Sequence, residues 1–509
     1  EDRPAVQVGD PYTEKLLVEA SEQLLDEGLL ESARDLGAAG LGGASSEMVA
    51  KGGLGARIEL DAVHQREPNM NALEILLSES QERMCYEVRP ENVDRVQAIA
   101  DRYDLGSSVI GEVTDGNYVC TFEGETVVDA DAEFLGDGAP MHDLPSTAPP
   151  EPDRDLPPTP DLDDAFEAVL SSPNTASKRW VYRQYDHEVQ VRTALRPGDD
   201  AAVLAVREAE TGLAFSAGAD PNWTDVAPYE GARAVALENA TNVAAKGATP
   251  LAAVDCLNGG NPEKPEVYGG FRAVVDGLAE MCATLDVPVV GGNVSLYNDS
   301  AAGPIPPTPT LALVGTKPTY DAPTLELEGR GDLLLVGDPV LGDDWDVDAG
   351  GGEVGPALGG SEYLAQFGGS DRFPAPPADP SAFVATLARV ADFESTLSTH
   401  DVSHGGLAVT LAEMVTVEAG ADVSLDVADE TAIPALFDER AGRVVVETST
   451  PAEVRAAFDG VAPVTALGGA DGSGTLSLSA GATGSAALDV DASTIADHRS
   501  VIEESLDAA

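Results

Sequence analysis

Short β-rich runs and longer stretches of helical spacing alternate along much of the chain. Tyr12 to Leu25 repeats its apolar residues at helical intervals and predicts a helix. In the central part, Ala201 to Val206, Leu251 to Val254, Val287 to Val290 and Leu311 to Val314 read as strands. They alternate with the helical stretches Gly231 to Lys246 and Val267 to Leu285, and Gly-rich turns punctuate the series. Such alternation predicts an α/β fold class built of α+β layers. Residues 138–163 break the pattern with eight prolines among acidic residues, which predicts a stiff, solvated linker.

The chain also repeats itself. Asp35-Leu36-Gly37-Ala38-Ala39-Gly40-Leu41 aligns without a gap with Asp401-Val402-Ser403-His404-Gly405-Gly406-Leu407, and the match continues to Glu47-Met48 and Glu413-Met414. Three more pairs keep the same order: Val8-Gly9-Asp10-Pro11 with Val336-Gly337-Asp338-Pro339, Glu79 to Arg83 with Glu439 to Arg443, and Gly111 with Gly468. Segments 1–140 and 330–509 are therefore expected to be two copies of one domain. The second copy carries a Gly-rich insertion around 340–370, and a different domain, 164–325, lies between the copies.

Charge narrows the function. The 89 acidic and 29 basic residues give a net charge of −60, spread through every segment. A surface of that sign repels nucleic acid and anionic membrane, and it suits molar salt, where screening within a few ångströms removes self-repulsion. No apolar run of about 18 residues is present, so no membrane span is expected. Cys85, Cys120, Cys256 and Cys282 stand far apart without a C-x-x-C pair, which indicates neither a zinc site nor a disulfide framework and fits a reduced cytosol.

The central segment places an acid and a Gly-Asn turn at strand ends. Asp255 follows Pro250 to Val254, and Gly291-Gly292-Asn293-Val294-Ser295 follows Val287 to Val290. Paired glycines let backbone N–H groups approach phosphate oxygens, and Asp and Asn oxygens are hard ligands suited to Mg²⁺. A plain turn and a helix cap are the bland alternatives. Asp35 likewise is either an Mg²⁺ ligand or the cap of the helix that follows it. Glu79-Ser80-Gln81 is polar where a buried strand is expected to begin, so it is a candidate pocket lining; the second copy keeps Glu439 but replaces Ser-Gln by Arg440-Ala441. His400 and His404 flank the repeated turn and are expected to be structural. There is no Walker A loop, no Gly-x-Ser-x-Gly and no paired-carboxylate glycosidase signature.

These residues resemble the synthetase component of phosphoribosylformylglycinamidine synthase. The matching stretches are VQVGDPYTEKLLVEA (6–20), RDLGAAGL (34–41), LLSESQERM (76–84), SPNTASKRWVYRQYDHEVQ (172–190), PGDDAAV (197–203), VDCLNGGNPEKPE (254–266), GGNVSLYN (291–298) and PPTPT (306–310). The resemblance implies tandem aminoimidazole-ribonucleotide-synthetase-like repeats. Residues 1–140 would be the C-terminal-type domain of repeat 1, 141–163 a Pro-rich linker, and 164–325 and 330–509 the two domains of repeat 2. The first N-terminal-type domain, with the family's catalytic histidines, is then expected upstream of Glu1.

The same resemblance implies substrate contacts at Gln7, Glu79, Ser80, Gln81 and Ser295, ATP contacts at Asp255 and Gly292, and Mg²⁺ ligands at Asp35 and Asn293. The implied reaction phosphorylates the amide oxygen of formylglycinamide ribonucleotide with ATP, and ammonia then displaces phosphate. The ammonia is expected to come from glutamine through a glutaminase subunit, with a small bridging subunit as a second partner. Asn258-Gly259-Gly260-Asn261 has Gly where the family usually has an aromatic residue, and His404 replaces a common Asp. Two other classes fit less of the chain: another ATP-dependent enzyme of the same superfamily, and a non-catalytic scaffold.

Overall fold

The computed structural model describes residues 10–65, 67–150, 152–337 and 356–507. They form two units, Glu1–Asp143 and Leu144–Ala509.

In the first unit, strands β1 (Leu30–Asp35), β2 (Gly55–Glu59), β3 (Met84–Val88), β4 (Gly111–Thr114), β5 (Tyr118–Phe122) and β6 (Glu125–Ala130) make two sheets, β1-β3 and β4-β2-β5-β6. The helix foreseen from Tyr12 to Leu25 spans Pro11–Asp26, with Asp10 as its cap and proline in its first turn. Its buried Ala20 and Leu24 pack with Leu29 and Ile99. Leu41, Val49, Ile58, Leu60, Ile75 and Tyr118 form the larger core between the helix Gly40–Lys51 and the four-stranded sheet.

In the second unit, β7 (Thr193–Leu195), β8 (Ala202–Val206), β9 (Thr211–Gly218), β10 (Thr249–Asn258) and β11 (Val289–Ser295) precede a small hairpin of β12 (Asp299–Ser300) and β13 (Gly303–Pro304). With β14 (Thr308–Pro318) they build a six-stranded sheet in the order β11-β10-β14-β9-β8-β7. Burial alternates strictly along β14, as a strand with one face on a core requires. The helices Pro228–Ala245 and Pro265–Thr284 cover that face. They approach so closely that a Cβ on Gly277 would lie 2.2 Å from the Tyr229 carbonyl oxygen.

The remaining strands are β15 (Asp332–Val336), β16 (Thr396–Asp401), β17 (Gly420–Leu425), β18 (Val444–Thr448), β19 (Val464–Asp471), β20 (Thr475–Ala480) and β21 (Ala486–Asp491). Their order is β16-β18-β15-β19-β17-β20-β21. The repeat read from sequence is visible in the register. Leu30 pairs with Val88 and Ser32 with Glu87 in the first unit, as Thr396 pairs with Thr448 and Ser398 with Glu447 in the second, with a bulge at the same place. Ile58 pairs with Gly111 as Val423 pairs with Gly468. In the second copy β15 joins the two partial sheets into one; by the repeat its counterpart is residues 4–8, outside the described residues.

Two expectations change. Gly291-Gly292-Asn293-Val294-Ser295 is not a turn at a strand end: it lies within β11, and Asp255 lies within β10. Parallel pairing between these strands overrides the local turn preference of Gly-Gly-Asn. Asp10-Pro11 caps and starts the first helix; its aligned partner Asp338-Pro339 lies outside the described residues, and among those described Asp379-Pro380 heads the helix Pro380–Ala391. Finally, the Pro-rich segment is mostly exposed yet tied down. The Thr147 N–H donates to the Pro265 carbonyl (2.8 Å), and Asp155 bridges to Ser370 in both directions (2.8 and 2.9 Å).

Candidate functional site

In the first unit, Asp35 ends β1 and pairs with Met84 across the sheet, so the loop of residues 78–83 is delivered to the same end of the helix Gly40–Lys51. Asp35 does not cap that helix. The cap residue is Ala39, in a left-handed conformation (φ 59°) and without a side-chain cap of its own. Instead Glu79 Oε1 accepts from the Ala39 N–H at 3.1 Å. Gly40 is obligatory beside it, because a Cβ there would sit 2.3 Å from the Ser78 carbonyl oxygen. Arg83 fastens the loop, donating from Nε to the Ser80 carbonyl (2.9 Å) and from Nη2 to that of Ser78 (2.6 Å). Asp35, Glu79 and Gln81 are exposed and Ser80 is buried. Gln7 lies outside the described residues.

In the second unit, Asp255, Cys256 and Asn258 of β10 stand opposite Gly292, Asn293 and Ser295 of β11. The Asp255 carboxylate lies over Gly292 so closely that a Cβ there would be 1.9 Å from Oδ1. Partial burial pushes the Asp255 carboxyl above its ordinary range. Gly291 to Asn293 are exposed on the edge strand. Asp255 and Gly292 share one face of the paired strands, and Asn293 and Ser295, beside Cys256 and Asn258, lie on the other. The space beside Gly259 is taken by Phe271: a Cβ on Gly259 would lie 2.7 Å from that ring.

The second copy shows the same scaffold with the opposite exposure. Arg443 fastens its loop as Arg83 does, donating to the carbonyls of Arg440 (3.2 Å) and Asp438. Glu439, the counterpart of Glu79, is buried and filled by donors: Oε1 accepts from the N–H groups of Gly405 (2.7 Å) and Glu362 (2.8 Å), and Oε2 from Trp223 Nε1 (2.9 Å). Desolvation and the nearby Asp220 charge push the Glu439 carboxyl up to about 8.

Deeper in this unit lies a charged cluster that sequence reasoning did not assign. His400 Nδ1 meets Asp200 Oδ1 at 2.5 Å, and its Nε2 meets Glu413 Oε2 at 2.7 Å. Burial alone would favour neutral imidazole, but the two carboxylates outweigh it and hold His400 well above its usual range. His404 contacts Asp220 at 3.2 Å, so both histidines are held by carboxylates, in line with a structural role. Lys246, fully buried, ion-pairs with Asp199 and, at 3.1 Å, with Asp200.

Desolvation and the charge of Asp200 push the Asp401 carboxyl up to about 7. Asp200, His400 and Asp401 offer ligand atoms within 4.8 Å of one another. Glu238 Oε2 and Asn242 Oδ1 are buried without a hydrogen-bond partner, whereas Asp200 Oδ2 faces the Lys246 ammonium at 3.1 Å. The carboxylate oxygens of Asp200 and Asp401, beside His400, are ligand types that a divalent cation accepts. The signal was present in Asp199-Asp200 of PGDDAAV and in Glu238 and Asn242, one helical turn apart. Nothing in the sequence tied those positions to Asp401.

Comparison with known proteins places this architecture. The family model for the C-terminal domain of AIR synthase related proteins matches residues 1–121 and 331–480, and the model for the N-terminal domain matches 198–316. The fold is that of an AIR-synthase-related protein. The chain is 70% identical over 509 residues to phosphoribosylformylglycinamidine synthase subunit PurL of Haloarcula marismortui, covering 99% of this chain and 69% of that protein. It is 69% identical to the subunit of the same name from Natronomonas pharaonis, covering 100% of this chain and 68% of that protein. The chain belongs to the PurL family of phosphoribosylformylglycinamidine synthase subunits. Among solved structures, PurLQS from Thermotoga maritima superimposes with a TM-score of 0.65 at 26% identity, covering 92% of this chain and 68% of that one. T. maritima PurL complexed with FGAR gives a TM-score of 0.65 at 25% identity, covering 92% of this chain and 66% of that one.

Proposed function

We propose that this chain acts in the ATP-dependent conversion of formylglycinamide ribonucleotide to formylglycinamidine ribonucleotide in purine biosynthesis, a ligase reaction forming a C–N bond. The observation that carries this is the pair of parallel strands in which Asp255 overlies Gly292, with Asn293 and Ser295 on the other face of the same edge strand. T. maritima PurL, of like fold, is known in complexes with ATP, ADP and FGAR, which supports the same ligands here. Asp255 and Gly292 contact the nucleotide: the missing Cβ lets a phosphate approach the backbone, and the carboxylate beside it is a polar anchor. Ser295 donates its hydroxyl to the ribonucleotide substrate. In the first unit Glu79, Ser80 and Gln81 bind substrate. Gln7 belongs with them by motif.

Asp35 and Asn293 are exposed hard oxygen donors, which fit Mg²⁺. The ion, when bound, neutralises phosphate charge; the protein's own part is to orient substrate and nucleotide and to exclude water. Ammonia reaches the site from glutamine through a glutaminase subunit, and a small bridging subunit completes the assembly. The second copy's loop is given over to structure, because its Glu439 is saturated by internal donors.

Ammonia-dependent turnover of Asp35→Asn and Asp401→Asn in the complete enzyme tests this assignment. Asp35→Asn is expected to lose at least ~10²-fold in turnover with little change in melting temperature, as when one preorganised electrostatic group is removed. Asp401→Asn is expected to act mainly on stability. Equal losses of turnover, or a larger loss for Asp401→Asn, would overturn the choice of copy.

A further inference from the structure

Beyond the residues assigned above, the structure singles out a group that touches neither ligand by assignment yet governs one that does. Ser295 ends β11, and the chain turns at once through Leu296-Tyr297-Asn298-Asp299, with Tyr297 in a left-handed conformation (φ 62°). That turn is laced to the loop after β10. The Gly259 N–H donates to the Ser295 carbonyl (2.9 Å), the Asn298 N–H to the Gly259 carbonyl (3.1 Å) and the Tyr297 N–H to that of Gly260 (3.2 Å). Asp299 accepts from the Asn261 N–H (2.9 Å) and from Lys264.

At the centre lies the Asn298 side chain. Its Nδ2 is within reach of three oxygens: the Gly259 carbonyl at 3.1 Å, the Ser295 carbonyl at 3.0 Å and the Ser295 hydroxyl at 3.1 Å. The two carbonyls accept only, so they fix which way the amide points. Ser295 Oγ accepts from the Asn298 amide at 3.1 Å and in return can donate to the amide oxygen only at 3.5 Å, the limit of a hydrogen bond. Its proton is thus weakly held in the turn and is readily given up to a better acceptor.

We propose that Asn298 is the positioning residue for Ser295: it holds the Ser295 hydroxyl as a donor aimed at an oxygen of the ribonucleotide substrate, and pins the β10 and β11 loops at the distance that substrate requires. This rests on the assignment of Ser295 as a substrate contact. An unheld serine hydroxyl rotates freely and spends much of its time donating to water or to its own backbone; a held one has already lost that freedom before substrate arrives.

The experiment uses the complete enzyme in high salt, with KM for formylglycinamide ribonucleotide, KM for ATP, kcat and melting temperature measured for Ser295→Ala, Asn298→Ala, Asn298→Asp and the double variant Ser295→Ala/Asn298→Ala. Asn298→Asp keeps the volume and removes the amide donor, so it serves if the alanine variant folds poorly. The expected result is a rise of about tenfold in KM for the ribonucleotide in each single variant, with KM for ATP changed less than twofold. The double variant should be no worse than the worse single one, because both substitutions remove one interaction. A normal KM in Asn298→Asp, or effects that multiply in the double variant, would overturn the role of Asn298 while leaving Ser295 in place. A normal KM in Ser295→Ala would instead overturn the assignment of Ser295 itself.

Discussion

Gly292 shows what a single missing atom does here. It is exposed on an edge strand with extended backbone, so neither burial nor left-handed geometry calls for glycine. The demand comes from Asp255, whose Oδ1 would lie 1.9 Å from an added Cβ. Gly292→Ala is expected to leave the melting temperature nearly unchanged, since a carboxylate on a part-exposed side chain can swing aside. The swing displaces the proposed nucleotide anchor, so KM for ATP should rise about tenfold, the equivalent of ~1.4 kcal/mol. A fall in melting temperature with normal KM would show that the glycine serves packing alone. The four cysteines illustrate the converse. Spacing suggested no pairing, and all four are free; burial pushes Cys85 and Cys282 up to about 11, which leaves them as inert thiols at neutral pH.

Among the elements, the repeated strand, turn and helix module is built twice and used in two ways. In both copies an arginine fastens the loop, and a glutamate accepts from the helix's first N–H. The difference is what covers the glutamate. In the second copy the helix Pro221–Val226 brings Trp223, wholly buried, onto Glu439, and His404 and Phe373 pack against its ring at 5.1 and 6.0 Å. Trp223→Phe removes one donor from a buried carboxylate and should destabilise the fold by roughly 1–3 kcal/mol. The bond to Trp223 favours the ionised form of a carboxyl whose folded-state pKa, about 8, lies above its ordinary value. Its contribution is therefore largest above pH 8 and fades as pH falls through that value. Denaturation of the variant and the parent at pH 6 and pH 9, in the same salt, should show the larger gap at pH 9. An equal gap, or a larger one at pH 6, would mean that Glu439 is held by shape and not by charge.

For the whole molecule, the net charge of −60 sets the terms of stability. The close relatives come from the halophilic archaea Haloarcula marismortui and Natronomonas pharaonis, in keeping with a surface made for concentrated salt. Most of the ion pairs on this surface are exposed and add little each, as between Arg57 and Glu112 or Arg272 and Asp276. Self-repulsion among the acids is thus offset chiefly by screening. Melting temperature followed across a KCl series should fall steeply below about 0.5 M, where the screening length exceeds ~4 Å. A melting temperature that stays level between 0.1 and 3 M, a range chosen to take the screening length from about 10 Å to about 2 Å, would rule this out. No helix among the described residues is long and apolar enough to cross a membrane.

Patterns of period and repetition belong to the sequence, and they determined much. Helical spacing located Pro11–Asp26 and Pro265–Thr284 to within a turn, because an amphipathic face is a local property; Pro228–Ala245 was placed as closely, although it is buried on all sides from Ala234 to Ala245. The duplicated landmarks implied two copies of one module, whose shared register and bulge follow from side chains alternating about the same core. The motifs also singled out Asp255 and Gly291 to Ser295, though they misjudged the backbone there. Whether Gly291 to Ser295 turns or extends was decided by the neighbouring strand β10, which supplies the backbone partners that Gly-Gly-Asn cannot provide for itself. Only the tertiary structure could bring Asp200 and Glu238 within electrostatic reach of Asp401, since the three come from elements far apart in the chain and long-range proximity leaves no local period. Exposure in one copy and burial in the other was likewise beyond sequence: Glu79 and Glu439 occupy equivalent positions, and the difference lies in Trp223 and Glu362, which fold in from elsewhere to satisfy the second.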